Sequence, residues 1–253
     1  GGEEWEALAP LGVERLVDAH ADRLEVCLAG RRLRLQQDRG LRRRGCLQGD
    51  SPAYANRTEH GSTTGAVLWD GALVLAAVLA AEPVRWNCGP GRRVVELGAG
   101  VVALPGTLAA VLGAAEVALT DLPQVLSAPV LRENLKENLT HEEFQTIKLC
   151  SLVWGEPLPP QVHSPDLILA SECVYDLGLV EPLLATLAAL LANAPDGAVA
   201  LAAFDRSIGR NASYAAFEDG CRERFERFEE VQCEQACYRS DTCVVYELAH
   251  PKR

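Results

Sequence analysis

Short apolar runs alternate with longer apolar or amphipathic stretches through the middle of the chain. Val94-Val95-Glu96-Leu97, Glu116 to Thr120, Ile147 to Cys150, Asp166 to Ser171 and Ala198 to Phe204 are rich in branched side chains and read as strands covered on both faces. Helices are predicted between and around them. The expected spans are Gly71 to Ala81, stopped by Pro83; Pro105 to about Leu112; Leu122 to about Asn138, with a break near Pro129; Leu179 to Ala192; and an amphipathic Tyr214 to Phe228. Two final runs, Val231 to Tyr238 and Thr242 to Leu248, are predicted to pair antiparallel across a short polar turn. Upstream, Leu24, Val26 and Leu28 alternate with polar residues, as do Leu33 and Leu35 beyond Gly30, which predicts a β-hairpin over about 23–36. Residues 38–62 have no periodicity, carry Arg42, Arg43 and Arg44 among glycines and serines, and are expected to form a mobile loop. The pattern is that of an α/β protein: an N-terminal extension over 1–62, then a doubly wound domain over 63–253 whose sheet ends in an antiparallel strand.

Composition narrows the class. With 253 residues, 48% of them hydrophobic, the chain can bury a full core as one domain. A net charge of −11 argues against a nucleic-acid backbone as the main partner and is compatible with a cationic one. Nine cysteines, an odd number without a framework spacing, read as the reduced thiols of a cytoplasmic or nuclear protein. Cys233, Cys237 and Cys243 lack a paired knuckle, so no metal site is expected. The chain opens on acidic residues and contains no apolar run near the roughly 20 residues a bilayer requires, so neither secretion nor membrane insertion is expected. It contains no methionine, and its native start is expected upstream of Gly1.

Candidate chemistry centres on Val94 to Gly106, where a strand runs into Gly98-Ala99-Gly100 and then a helix opened by Pro105. Such a turn lets a nucleotide-like ligand approach backbone N–H groups at a helix start. Asp121, 21 residues after Gly100 at the end of the next strand, suits two ribose hydroxyls. Trp69 beside Asp70, Trp154, Ala170, Ser171, Glu172 and Tyr175 also fall at strand ends or helix starts, along the edge where an open α/β sheet binds ligands.

Several motifs together resemble the seven-stranded, S-adenosylmethionine-dependent methyltransferases, and more narrowly the protein-lysine methyltransferases of family 16. They are Gly65-Ala66-Val67-Leu68-Trp69-Asp70, Val95-Glu96-Leu97-Gly98-Ala99-Gly100, Thr120-Asp121-Leu122, Val153-Trp154-Gly155-Glu156 and Glu172-Cys173-Val174-Tyr175. Leu33-Arg34-Leu35-Gln36-Gln37 is similar to the subgroup that modifies the valosin-containing ATPase. The resemblance implies a Rossmann-like sheet, S-adenosylmethionine as cofactor and a monomer acting on a protein with an exposed lysine. It implies that Glu96, Gly98, Ala99 and Gly100 frame the amino-acid part of the cofactor, with Ala170 and Ser171 also at the cofactor site. Asp121 would take its ribose, Trp154 its adenine and Trp69 its methionine part, while Glu172 and Tyr175 border the channel for the acceptor amine. Two departures stand out. Glu172 replaces the family's usual Asp, and Val102 stands where a third glycine is usual, with Gly98 to Gly106 spanning nine residues rather than eight. A β-branched residue held at positive φ would cost on the order of 1–3 kcal/mol, so either cofactor binding is weakened or the turn follows another path. Three alternatives stay open: a non-catalytic binding protein on a decayed fold, a methyltransferase acting on a small molecule, and a nicotinamide-dependent oxidoreductase.

Overall fold

The computed structural model describes residues 6–7, 16–18, 20–38, 64–208, 211–233 and 235–252. Near the start, β1 (Glu6–Ala7), β2 (Arg23–Leu28) and β3 (Arg31–Gln36) form a small sheet in which β2 and β3 are the predicted hairpin. Ala29 and Gly30 both have positive φ, 50° and 71°, as the tight two-residue turn that matches strand twist requires. Leu24, Val26, Leu28, Leu33 and Leu35 all point into the core.

The apolar runs of the middle become the main sheet: β4 (Arg93–Leu97), β5 (Glu116–Asp121), β6 (Ile147–Ser151), β7 (Leu167–Ser171), β8 (Val199–Asp205), β9 (Phe225–Glu230) and β10 (Cys243–Pro251). Their order is β6-β5-β4-β7-β8-β10-β9, parallel from β6 to β8, with β10 antiparallel to both β8 and β9. The helices are α1 (Asp70–Ala81), α2 (Leu104–Val111), α3 (Pro123–Leu126), α4 (Pro129–Asn138), α5 (His141–Gln145), α6 (Leu177–Ala192) and α7 (Asn211–Arg224). Strand side chains alternate between two cores. Val94, Val117, Leu169 and Leu201 pack with α1, α2 and α4, whereas Val95, Ala118, Ile168 and Ala202 pack with α6 and α7. Both sets are apolar, which is why the strands read as unbroken hydrophobic runs.

The break expected near Pro129 is present: Leu122 to Asn138 holds two helices, each opened by a proline that has no N–H to donate into a preceding turn. The C-terminal hairpin is shifted: α7 stops at Arg224, and the first arm is Phe225–Glu230 rather than Val231 to Tyr238. At Val102 no left-handed residue is required, because positive φ falls on Gly98, Gly100 and Ala103, the last of these the N-cap of α2. The turn follows another path, and the extra residue is absorbed at Ala103. The loop expected over 38–62 lies outside the described residues beyond Asp38.

Candidate functional site

Strands β5 and β6 are added on one side of β4, and β7 and β8 on the other, so the carboxyl ends of β4 and β7 flank the point where the winding reverses. Ligands of open α/β sheets bind there. Leu97 is level with Thr120 on one side and Ala170 on the other, and Ser171 is level with Ala203. The register therefore lines up Gly98, Asp121 and Glu172 along one rim.

The glycine turn is tightly supported. Gly98 and Gly100 are both left-handed, at 64° and 63°. A Cβ on Gly100 would lie 2.9 Å from the carbonyl oxygen of Gly65, and one on Gly98 would meet Cys173 Sγ at 3.0 Å and the Trp154 ring at 3.2 Å. Glycine is needed because backbone and ring already occupy that space. Trp154 is thus brought onto the turn itself, and Ala99, Ala170 and Ser171 are buried around it.

The turn's donors are already engaged. Ala99 N–H donates to the Thr120 carbonyl at 3.0 Å, Gly100 N–H to Asp121 Oδ2 at 2.9 Å and Val101 N–H to the Gly65 carbonyl at 2.8 Å. At the start of α2, Pro105 has no N–H and Gly106 N–H donates to Glu96 Oε2 at 2.9 Å. The expectation of N–H groups open to a ligand fails for these residues. The edge presents carboxylates instead. Burial pushes the Glu96 carboxyl up to about 8, with the nearby Asp121 charge adding to the rise and the Gly106 bond opposing it. Burial likewise raises Asp121 to about 6, against the bonds from Gly100 and Leu122. Cys173 is buried close to Asp121, Glu96 and Glu172, and burial together with those charges holds its thiol far above the ordinary range. A donor set of buried acids fits a cation, and so fits the sulfonium and ammonium of S-adenosylmethionine.

Glu172 sits in a left-handed conformation at φ 54°, and its Oε1 accepts from Gly71 N–H at 3.0 Å and Asp205 N–H at 3.1 Å. One side chain thereby joins the end of β7 to the start of α1 and the end of β8. Trp69 is the N-cap of α1, half-buried at the same rim, and the half-buried Tyr175 packs against the core on the α6 side. Next to Trp69, Asp70 turns away from the rim: its carboxylate accepts the N–H groups of Leu16 and Val17 at 2.9 and 2.8 Å.

Sequence reasoning missed three side chains that support this edge. Buried Gln37 donates to the carbonyls of Asp18 and Ala21 and accepts from Leu68 N–H at 2.8 Å, fixing the approach to Trp69. Asn134 and Asn138 bind the hairpin to α4. A signal for the asparagines was present: Leu131, Asn134, Leu135 and Asn138 form one buried helical stripe in which two positions of four are amides.

Comparison with known proteins gives the family and the fold. A family model described as lysine methyltransferase matches residues 50–217. Protein N-lysine methyltransferase METTL21A of Xenopus tropicalis is 36% identical over 110 residues, covering 44% of this chain and 47% of that protein. Protein N-terminal and lysine N-methyltransferase EFM7 of Cryptococcus neoformans var. neoformans serotype D is 31% identical over 132 residues, covering 50% of this chain and 43% of that protein. The matched stretch thus spans less than half the length of these curated relatives. Among solved structures, the glycopeptide N-methyltransferase MtfA superposes with a TM-score of 0.52 at 15% identity, covering 69% of this chain and 90% of that one. The methyltransferase SibL in its apo form gives 0.51 at 17% identity, covering 69% and 54%. At these identities the likeness concerns the fold alone.

Proposed function

The chain belongs to the lysine methyltransferase family, and on that premise we propose that it transfers a methyl group from S-adenosylmethionine to the side-chain amine of a lysine in a protein substrate. The observation that carries this reading is where the turn's donors go: Ala99, Gly100, Val101 and Gly106 give their N–H groups to Thr120, Asp121, Gly65 and Glu96. A pyrophosphate needs such donors and is repelled by the Asp121 carboxylate, so the nicotinamide alternative is disfavoured, whereas a cationic cofactor gains from it. The bound cofactor supplies an electrophilic methyl group on a positively charged sulfur.

The chain's own residues then have separable tasks. Asp121 spends two of the roughly four acceptor sites of its carboxylate on Gly100 and Leu122, leaving capacity for ribose hydroxyls. Trp154 offers a ring against Gly98 for the adenine. Trp69, set by the Glu172 bond to the next turn of backbone, walls the reacting end. Glu172 and Tyr175 receive the acceptor lysine, the carboxylate orienting its nitrogen and the ring excluding water, because attack requires a desolvated neutral amine in line with carbon and sulfur.

Titration calorimetry of the purified protein with S-adenosylmethionine, with its demethylated product and with NAD tests the cofactor. Heat from the first two and none from NAD is expected; no heat from either of the first two supports a decayed, non-catalytic fold. Incubating a cell lysate with the protein and cofactor carrying a tritiated methyl group tests the acceptor. Label in protein bands, recovered as methyllysine after hydrolysis, is expected; label confined to small molecules would overturn the protein-substrate reading.

A further inference from the structure

Asn134 and Asn138 lie one helical turn apart on α4, about 6 Å along the axis, close to the roughly 6.6 Å between alternate residues of an extended strand. Their amides therefore match the free edge of β3. Asn138 accepts from Arg34 N–H and donates to the Arg34 carbonyl, both at 2.7 Å. Asn134 does the same to Gln36, at 2.7 and 2.9 Å. Each amide has one N–H left, and here the two differ. Asn138 returns it to the Asn134 carbonyl of its own helix at 2.8 Å, whereas Asn134 sends it to the carbonyl of Val101 at 2.9 Å. Since Val101 N–H is held by Gly65, the residue just after Gly100 is fixed at both ends, one of them by a side chain that also grips the hairpin.

We propose that Asn134 is a positioning residue for the cofactor turn, through which docking of the β2–β3 hairpin sets cofactor affinity. The inference rests on the reading of Gly98 to Val101 as the S-adenosylmethionine turn. One planar amide satisfies hairpin and turn together, so a hairpin that lifts off α4 releases Gln36 and leaves the amide free to leave Val101. Coupling of this kind is reciprocal: cofactor must tighten the hairpin by the factor by which the hairpin tightens cofactor. Asn138 supplies the control, because it makes the same pair of bonds to β3 without touching the turn.

The experiment measures affinity for the demethylated cofactor by calorimetry and amide hydrogen exchange at Arg34 and Gln36. In the unaltered protein, saturation with the demethylated cofactor is expected to slow exchange at Gln36 by several-fold. Asn138→Ala is expected to speed exchange at Arg34 and leave the dissociation constant within about twofold. Asn134→Ala is expected to weaken binding by about tenfold or more, the loss of one positioned hydrogen bond. Asn134→Asp keeps the acceptor for Gln36 N–H but sets an oxygen against two carbonyls, and is expected to bind no better than Asn134→Ala. Equal effects of Asn134→Ala and Asn138→Ala on affinity overturn the proposal, and so does exchange at Gln36 of the unaltered protein left unchanged by saturation, a result that needs neither variant. Failure of the unaltered protein to bind S-adenosylmethionine or its product would instead overturn the cofactor reading itself.

Discussion

Both oxygens of Asp121 are engaged by backbone before any ligand arrives, and Glu96 is engaged by Gly106. Each carboxyl is held above its ordinary value, from 4.5 to about 8 for Glu96 and from 3.8 to about 6 for Asp121, so each binds a proton more readily folded than unfolded. The stability linked to them is then complete below about pH 4 and is lost as the pH rises through 6 and on through 8. We expect the urea midpoint to fall over that window, and to fall less in Glu96→Gln, which stays neutral at every pH. A steeper fall in the variant would refute the assignment. A bound cation reverses the sign locally, so affinity for S-adenosylmethionine is expected to rise between pH 6 and 8. Gly98, Gly100 and Asp121 were legible because turn chemistry and strand-end spacing are local. Asn134, Gln37 and the bonds made by Asp70 were not, since their partners lie 16 to 98 residues away and only the closed fold brings them together.

Elements meet at Glu172, whose single oxygen serves the start of α1 and the end of β8 from a left-handed position after β7. The family's shorter Asp has less reach for that bridge, which gives the extra methylene a physical reason. Glu172→Gln keeps an acceptor oxygen and loses the charge. It is expected to melt within about 2 °C of the unaltered protein, a difference of roughly 1 kcal/mol or less at this size, while turnover drops about 10²-fold, as for loss of one positioned group. Glu172→Ala is expected to lose melting temperature as well. Unchanged turnover in Glu172→Gln would reduce the residue to a structural bridge. The hairpin offers a gain instead: Ala29 at φ 50° carries a left-handed cost of roughly 1 kcal/mol that Asn largely avoids. Ala29→Asn should slow hydrogen exchange at Leu28 and Arg31 by about fivefold, and faster exchange would contradict the turn assignment. Periodicity predicted these elements well where helix and strand patterns differ. It failed at Phe225-Glu226-Arg227-Phe228, where a spacing of three suits a helical face but pairing of Phe228 with Leu248 and Phe225 with Pro251 imposes an extended backbone.

At the scale of the molecule, the alternation of apolar runs with helices sufficed for a doubly wound sheet, and the closing polar turn for an antiparallel end. The order of the last strands did not follow from the pattern, because periodicity says which face a strand buries and not which neighbour it takes. That order matters for how the molecule assembles. Among the described strands β10 comes last in the chain, yet it lies between β8 and β9. Strand β9 thus has no edge to join until later residues have doubled back past it, and in the meantime β8 offers a bare, apolar template to any other extended chain. Pulse-labelled hydrogen exchange during refolding should find β4, β5 and β7 protected before β9, and β9 never before β10. A chain cut after Asp241 is expected to fall into aggregates unless the missing 242–253 segment is supplied as a peptide, which would make the last strand a separable part that completes the protein in solution.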